Sequence, residues 1–288
     1  MLLLTVIGLA VAICVIARLD LFHTSVYTVS SSAGAQADVD MPASTDPAVT
    51  IVNGHPIFES NVQAVAAYGT GDASLTQLKL STPKLRATSV YSIQPLDVAA
   101  APTNGTPFDE LFRRPLQLNQ IDENQLLVTN TVPGGATPLY GAVWFHNGVM
   151  NTPPGDMFEI VFTATITSVA NNWVSGAITL ATPLPAGVYS VIGMSAWCTA
   201  GLFGRLIFPS QSWRPGIIMQ ATAAGVTTRY MRYGRLGEYG RFNSFAQPNF
   251  DLYASTAGSK SVTGWLQIVR TSGPMVPPNS NLINTGAI

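Results

Sequence analysis

The chain has few charged residues. They make up 10% of its 288 residues, against about a quarter in an average soluble domain. Hydrophobic residues make up 47%, whereas disordered chains are rich in charge and poor in apolar side chains. The composition therefore excludes a disordered chain. Two interpretations stay open: a surface covered largely by other subunits or lipid, or a surface rich in Ser, Thr and Asn on a monomeric β protein.

Cysteine, histidine and net positive charge are also scarce. The formal net charge is −1, so no basic field attracts nucleic acid. The two cysteines, Cys14 and Cys198, lie far apart, and the histidines at positions 23, 55 and 146 show no ligand spacing. Metal sites and disulfide frameworks need closely spaced or paired residues of these types. We therefore expect no metal, no cofactor and no disulfide framework.

Sequence signatures of catalysis are missing as well. The chain has no Gly-x-Ser-x-Gly elbow and no phosphate-binding Gly-Lys-Ser/Thr loop after a strand. Its 15 acidic residues include no pair whose context suggests the facing carboxylates of a glycosidase. Asp122 and Glu123 lack the Asp-x-Asp-x-Asp-Gly pattern of a calcium loop, which favours a solvated turn. We expect no enzymatic activity, with a hydrolase on a β scaffold as the third alternative.

The first 17 residues, MLLLTVIGLAVAICVIA, carry no charge before Arg18. A helix of this length spans about 26 Å, at the lower edge of what a bilayer core needs. A secretory signal would need a basic start and a nearby cleavage site, but the small residues AGAQA come about sixteen residues too late. We expect a membrane-associated helix over residues 1–20, with a helix buried against protein and a signal as alternatives. The side chains expected in the bilayer are Leu2, Leu3, Leu4, Val6, Ile7, Leu9, Val11, Ile13, Val15 and Ile16.

After position 20 the chain has the pattern of an all-β protein. Short β-branched and aromatic runs alternate with Gly, Pro, Asn and Ser turns at roughly ten-residue spacing, as in a sandwich or barrel. The second half predicts eight strands, the number in a jelly roll, and the first half repeats the plan less clearly. After a strand in LFHTSVYTVS, the predicted strands are 49–52, 62–68, 75–80, 87–93, 125–129, 140–145, 158–168, 173–180, 188–196, 203–208, 216–221, 226–231, 250–255 and 262–269.

Two segments about 125 residues apart resemble each other: ENQLLVTNTVPGGATPLYGAVWF at 123–145 and PNFDLYASTAGSKSVTGWLQIV at 248–269. Each has an apolar run, a polar turn, and a second apolar run with a Gly before its aromatic centre, so each predicts a hairpin. Trp144 and Trp265 occupy matching places, and their apolar neighbours favour core packing over a sugar-binding platform. The repeat predicts two copies of one unit, with chance resemblance as the alternative.

The segment HNGVMNTPPGD at 146–156 separates the two copies, because Gly, Asn and paired Pro break regular structure. The predicted organisation is an apolar helix at 1–20, jelly rolls at 21–148 and 155–272, and an extended tail at 273–288. Each copy also carries a long insertion before its penultimate strand, at 95–115 and 229–248. Within the first, TPFDELFRR predicts a short helix with Thr106 as its N-cap.

The second insertion interleaves arginines with tyrosines. Such a composition binds single-stranded nucleic acid or forms protein–protein contacts. The near-neutral chain and Glu238 within the insertion favour a protein contact, with a plain surface loop as the alternative. The predicted interface residues are Arg229, Tyr230, Arg232, Tyr233, Arg235, Tyr239 and Arg241, with Phe112, Arg113 and Arg114 in the first insertion.

Two tandem eight-stranded units behind an apolar segment, each with a long insertion before its penultimate strand, resemble a known family. It is the double jelly-roll major capsid proteins of tailless icosahedral viruses with an internal membrane, such as the tectivirus and corticovirus bacteriophages. The resemblance covers residues 21 to about 272 and is architectural, without a residue motif. It implies a homotrimer that forms a pseudo-hexagonal tile of the virion capsid, contacts neighbouring capsomers and penton or minor capsid proteins, and touches the internal membrane.

One departure from this family keeps alternatives open. The family's N-terminus is commonly a short amphipathic segment, whereas this one is apolar enough to enter a bilayer. A minor, membrane-anchored shell protein is therefore one alternative. A membrane-anchored β-sandwich that binds glycans or a receptor is the other.

Overall fold

The computed structural model describes residues 22–31, 38–70, 75–82, 91–93, 109–110, 115–119, 123–130, 137–148, 153–209, 211–220 and 238–272. All regular secondary structure in these residues is β-strand, which confirms the all-β expectation. The predicted helix at 1–20 and tail at 273–288 lie outside them, and no helix long and apolar enough to cross a bilayer occurs within them. We refer to residues 22–148 as the first half and to residues 153–272 as the second half.

The described part of the first half forms two main sheets and a small hairpin. In sheet 1 the strand order is β1-β11-β5-β8, with β9 also paired to β5, and in sheet 2 it is β2-β10-β6-β7. Strands β3 and β4 form the hairpin. The strands are β1 (Phe22–Ser31), β2 (Asp38–Met41), β3 (Thr50–Val52), β4 (His55–Ile57), β5 (Val62–Thr70), β6 (Leu75–Ser81), β7 (Tyr91–Ile93), β8 (Asp109–Glu110), β9 (Leu116–Leu118), β10 (Gln125–Asn130) and β11 (Thr137–His146).

The described part of the second half forms two further sheets. Sheet 3 has the order β14-β12-β20-β15-β18, and sheet 4 has the order β13-β19-β16-β17. The strands are β12 (Met157–Ser168), β13 (Trp173–Ala177), β14 (Thr179–Leu180), β15 (Val188–Trp197), β16 (Gly201–Ile207), β17 (Gly216–Ile218), β18 (Gly240–Asn243), β19 (Asn249–Ala254) and β20 (Gly258–Ser272).

The two halves share one strand order. In sheet 1 the first strand of the half, β1, pairs with the last, β11, which pairs with β5. In sheet 3 the first strand, β12, likewise pairs with the last, β20, which pairs with β15. Sheets 2 and 4 correspond in the same way, with β10 and β19 in their interiors. Sheet 1 therefore matches sheet 3, and sheet 2 matches sheet 4.

The repeated segments of the sequence are not hairpins. β10 lies in sheet 2 and β11 in sheet 1, and β19 lies in sheet 4 and β20 in sheet 3. Each repeated segment therefore crosses from one sheet to the other. The hairpin prediction was wrong because an apolar–turn–apolar pattern does not specify which strand becomes the partner of the second run.

The repeated glycines of these segments are required by packing. A Cβ on Gly141 would lie 2.2 Å from Leu126 Cδ2, in the facing sheet. A Cβ on Gly264 would lie 2.4 Å from Phe162 Cε1, on the neighbouring strand. Neither position has room for a larger residue unless its neighbours move.

Both insertions depart from the sequence prediction where the structure describes them. Asp109 and Glu110, which the sequence places in a helix, form β8 and pair with Ala67 and Ala66 of β5. In the second insertion, residues 240–243 form β18, which pairs with β15. The sequence did not indicate the strand β18. These short segments are therefore strands because they pair with longer strands of their sheets, and local propensity does not determine their structure. The predicted strand at 226–231 lies outside the described residues.

Sheet 1 is buried on both faces. Its inner face packs on sheet 2, and its outer face packs on the second half. Along β11 the side chains alternate between these two environments, and a strand buried on both faces needs an apolar residue at every position. This explains the unbroken run LYGAVWF. The inner residues of β11 are Leu139, Val143 and Phe145, and the outer ones are Tyr140, Ala142 and Trp144.

Candidate functional site

The candidate site is the contact between the outer face of sheet 1 and the outer face of sheet 4. Aromatic rings meet across it: the Tyr68 ring centroid lies 6.1 Å from that of Phe203, and Tyr140 lies 6.4 Å from Tyr253. Polar groups cross it as well, since Trp144 Nε1 donates a hydrogen bond of 2.7 Å to a second-half carbonyl, that of residue 216. One hydrophobic cluster therefore contains side chains of both halves.

A fully buried arginine lies within this contact. Arg205 is on β16, directly opposite Asp251 on β19, and its Nε donates to Asp251 Oδ2 at 3.0 Å. Its Nη2 donates to Asp46 Oδ1 of the first half at 3.1 Å, and its Nη1 donates to the Thr24 carbonyl at 3.3 Å. The Arg205 guanidinium also lies 4.0 Å from the Trp173 ring centroid. The charge is thus held by both halves together.

The local sequence explains why these groups are buried. Arg205 occupies an outward position in the otherwise apolar strand GLFGRLI, and Asp251 occupies one in NFDLYA. Asp46 follows β2 in a turn, where its Oδ1 accepts a hydrogen bond of 2.9 Å from the Ala48 amide. A buried charge must be paired and hydrogen-bonded, so these residues stay buried only while the two halves are in contact.

A second arginine and a histidine complete the cluster. Arg214 Nη1 donates to Asp251 Oδ2 at 2.9 Å, and the Arg214 amide donates to His23 Nδ1 at 3.3 Å. Because Nδ1 accepts, the neutral imidazole carries its proton on Nε2, which lies 3.2 Å from Asp46 Oδ2. The two carboxylates therefore balance the two guanidiniums, and the histidine is neutral.

Burial shifts the titration of these groups. Desolvation lowers the pKa of His23, against the opposing effect of Asp46. Desolvation would raise the pKa of Asp46, but the hydrogen bonds and charges of His23 and Arg205 outweigh it and hold this pKa well below its usual range. At neutral pH Asp46 is therefore ionised and His23 is uncharged.

The ion cluster holds the two halves together and offers no unpaired catalytic group. The carboxylates of Asp46 and Asp251 both face arginines, so neither is presented unpaired to a substrate. Among the described residues, no three His, Cys, Asp or Glu side chains are grouped so that they could hold a metal ion.

Two predicted interface residues are described. Tyr239 is 2% exposed, and its ring centroid lies 5.1 Å from that of Phe22, so its side chain contributes to the contact between the halves. Arg241 is exposed, and its Nη2 donates to Glu238 Oε2 at 2.9 Å. The other predicted interface residues (Arg229, Tyr230, Arg232, Tyr233, Arg235, Phe112, Arg113 and Arg114) and all the predicted membrane-anchor residues lie outside the described residues.

Sequence reasoning missed the ion cluster itself. The available signal was a charged residue inside an apolar strand, as at Arg205 and Asp251. Asp46 gave no such signal, because its role depends on a contact with a strand 159 residues away. The preference for core packing over a sugar platform holds at Trp144, which is fully buried, whereas Trp265 is half-buried.

A groove lies beside the cluster. Its volume is about 580 Å³, and it is lined by residues 47–50 and 57–60 of the first half and by residues 212–213 of the second. The Phe58 and Trp213 ring centroids are 5.3 Å apart in its wall. It is a candidate small-molecule site among the described residues.

Comparison of the chain with models of known protein families, with curated proteins and with solved structures finds no match.

Proposed function

We propose that the chain is a structural virion protein, a major capsid protein built from two tandem jelly rolls. Its trimers form pseudo-hexagonal capsomers of an icosahedral shell over an internal membrane. The shared strand order supports this proposal, because in a jelly roll the first strand of the barrel lies beside the last and the chain crosses repeatedly between two facing sheets. The apolar first 17 residues support the membrane contact.

The observation that carries the proposal is the way the two halves meet. Sheet 1 of the first half packs on sheet 4 of the second, and these are non-equivalent sheets of the repeated unit. A contact between unlike faces can be repeated head to tail, and it closes into a ring when the rotation per unit allows. Three chains, each supplying two units, form a ring of six when that rotation is about one sixth of a turn. Such a ring is a pseudo-hexagonal tile.

The mass of the full chain in mild detergent tests the proposal. We expect a complex of three 30.5 kDa chains, and a stable monomer would contradict the capsomer. The membrane contact is tested separately by deleting residues 1–17. The truncated trimers should remain soluble and no longer float with liposomes, whereas flotation of the truncated chain would contradict attachment through this segment.

The groove beside the ion cluster favours a second candidate, a membrane-anchored β-sandwich that binds glycans. Trp213 could stack on a sugar ring, and Glu59 and Ser60 could orient its hydroxyls. This candidate requires specific binding on a carbohydrate array that is lost in Trp213→Ala. Binding by a monomeric chain would favour it over the capsid protein.

A further inference from the structure

The outer face of sheet 3 is the counterpart of a face that the chain itself covers. Sheet 1 occupies the matching place in the first half, and its outer face is buried against sheet 4. The outer face of sheet 3 is open along β12, where one row of side chains is buried and Glu159, Thr163, Thr165 and Thr167 of the other row are exposed. Farther along the sheet the chain itself covers this face, since β15 is buried on both faces and Gln267 of β20 is 2% exposed. A regular strand with one polar row presents that row away from its own core.

The two tryptophans of the repeated segments lie on the outer faces of matching strands but two positions apart: Trp144 is three residues after Gly141, and Trp265 is one residue after Gly264. Trp144 on β11 lies opposite Thr24 on β1, and Trp265 on β20 lies opposite Val161 on β12. Leu266 beside Trp265 belongs to the second-half core, so alternation places Trp265 on the outer face. Trp144 is fully buried in the contact between the halves, whereas Trp265 is half-buried in the single chain.

The outer face of sheet 2 carries a positive charge at the place where the matching sheet 4 carries Arg205. In sheet 4, Arg205 of β16 lies opposite Asp251 of β19 and reaches across to the first half. In sheet 2, Lys79 of β6 lies opposite Leu127 of β10, at the corresponding place. Lys79 is half-buried, and its neighbours Leu78 and Leu80 belong to the first-half core. Its side chain therefore belongs to the outer face of sheet 2.

We propose that the open part of the outer face of sheet 3, along β12 and at Trp265, packs on the outer face of sheet 2 of a second copy of the chain. Trp265 lies at the centre of this contact, and Lys79 faces Glu159 of the other copy. When Gly141 is matched with Gly264, Thr24 of β1 matches Glu159 of β12, and the Thr24 carbonyl accepts a hydrogen bond from Arg205 within the chain. The inference rests on the proposed trimer and assigns the surfaces that form it.

The composition of the face suits a contact between chains that have already folded. Threonines on its exposed row keep the single chain soluble, and an interface of this kind need be no more apolar than the rest of a protein surface. An aromatic anchor surrounded by polar residues is the usual form of a binding hot spot.

A first experiment blocks the face with one large charged side chain. Thr165→Arg places it on the exposed row of β12, and Val169→Arg is the matched control, because Val169 is 53% exposed after the end of β12. We expect folded monomers for Thr165→Arg and trimers for Val169→Arg. Trimers of both variants would overturn the proposed surface and leave the trimer itself intact. A monomeric wild-type chain would overturn both proposals.

Charge reversal tests the Lys79–Glu159 pairing and needs no large side chain. Lys79→Glu and Glu159→Lys should each raise the dissociation constant of the trimer about 100-fold or more, because like charges then face each other. The double variant should restore assembly, and rescue of this kind requires the two residues to interact. Single variants that assemble like wild type, or a double variant that remains monomeric, would contradict the pairing.

Discussion

Asp46→Asn is the most direct test of whether the ion cluster holds the two halves together. The substitution keeps the size of the side chain and an Oδ1 that can accept from the Ala48 amide. It removes the negative charge that pairs with Arg205, and the buried cluster is left with Asp251 alone against two guanidiniums. Removing one partner of a buried ion pair destabilises a protein by about 3–5 kcal/mol. We expect a loss of that size at neutral pH.

Urea unfolding followed by tryptophan fluorescence measures this loss. Trp173 reports on the contact directly, because its ring lies 4.0 Å from the Arg205 guanidinium. Asp156→Asn is the matched control: it is the same chemical change at an exposed carboxylate, and it should alter the free energy of unfolding by no more than about 0.5 kcal/mol. A separate early transition in Asp46→Asn would mean that the halves part before they unfold.

An equal, small effect of the two asparagine substitutions would refute the reasoning. It would mean that Arg205 is satisfied without Asp46, so the ion cluster would not hold the halves together. The apolar contacts around Trp144 would then be the main source of their association.

Two further predictions concern the same contact, and a third concerns the packing of sheet 3 within the second half. Burial lowers the pKa of His23, so on acidification the unfolded chain takes up a proton before the folded one. The free energy of unfolding should therefore fall as the pH drops below the ordinary histidine value of about 6.5, and a urea series over pH should show a shallower fall for His23→Gln. Trp144→Phe leaves the Gly216 carbonyl without its indole donor and should lower the free energy of unfolding by about 1–3 kcal/mol. Gly264→Ala forces a Cβ against Phe162 and should lower the melting temperature through a loss of about 1–3 kcal/mol.

The sequence predicted those parts of the fold that depend on local pattern. The alternation of apolar and polar residues in EIVFTATIT located β12, whose two faces differ in burial. The Gly and Pro clusters located the turns. Pairing was not predictable in this way, because β10 and β11 carry the pattern of a hairpin and yet lie in different sheets. The short strand at Asp109–Glu110 exists only through its pairing with β5.

The candidate site was largely beyond prediction from the sequence. A lone arginine in an apolar strand indicates a buried partner but does not identify it. Asp46 lies 159 residues from Arg205, in a segment whose composition resembles many solvated turns. His23 appeared only as one of three scattered histidines. Only the packing of one half on the other brings these groups together.

The difference between the matched strands β11 and β20 distinguishes two kinds of contact. β11 has large apolar side chains on both faces, and such a strand can remain soluble only if its outer face is covered as the chain folds. β20 keeps Thr263 beside Trp265 on its outer row, where the buried Gln267 donates to Glu159 Oε1 at 2.8 Å. A polar surface of this kind is stable in water before a partner arrives. On the proposed assembly, the contact inside the chain is therefore permanent and the contact between chains forms later. Exchanging Thr263 for Leu should then give chains that aggregate before they assemble, measurable as light scattering during refolding, and unchanged refolding would contradict this distinction.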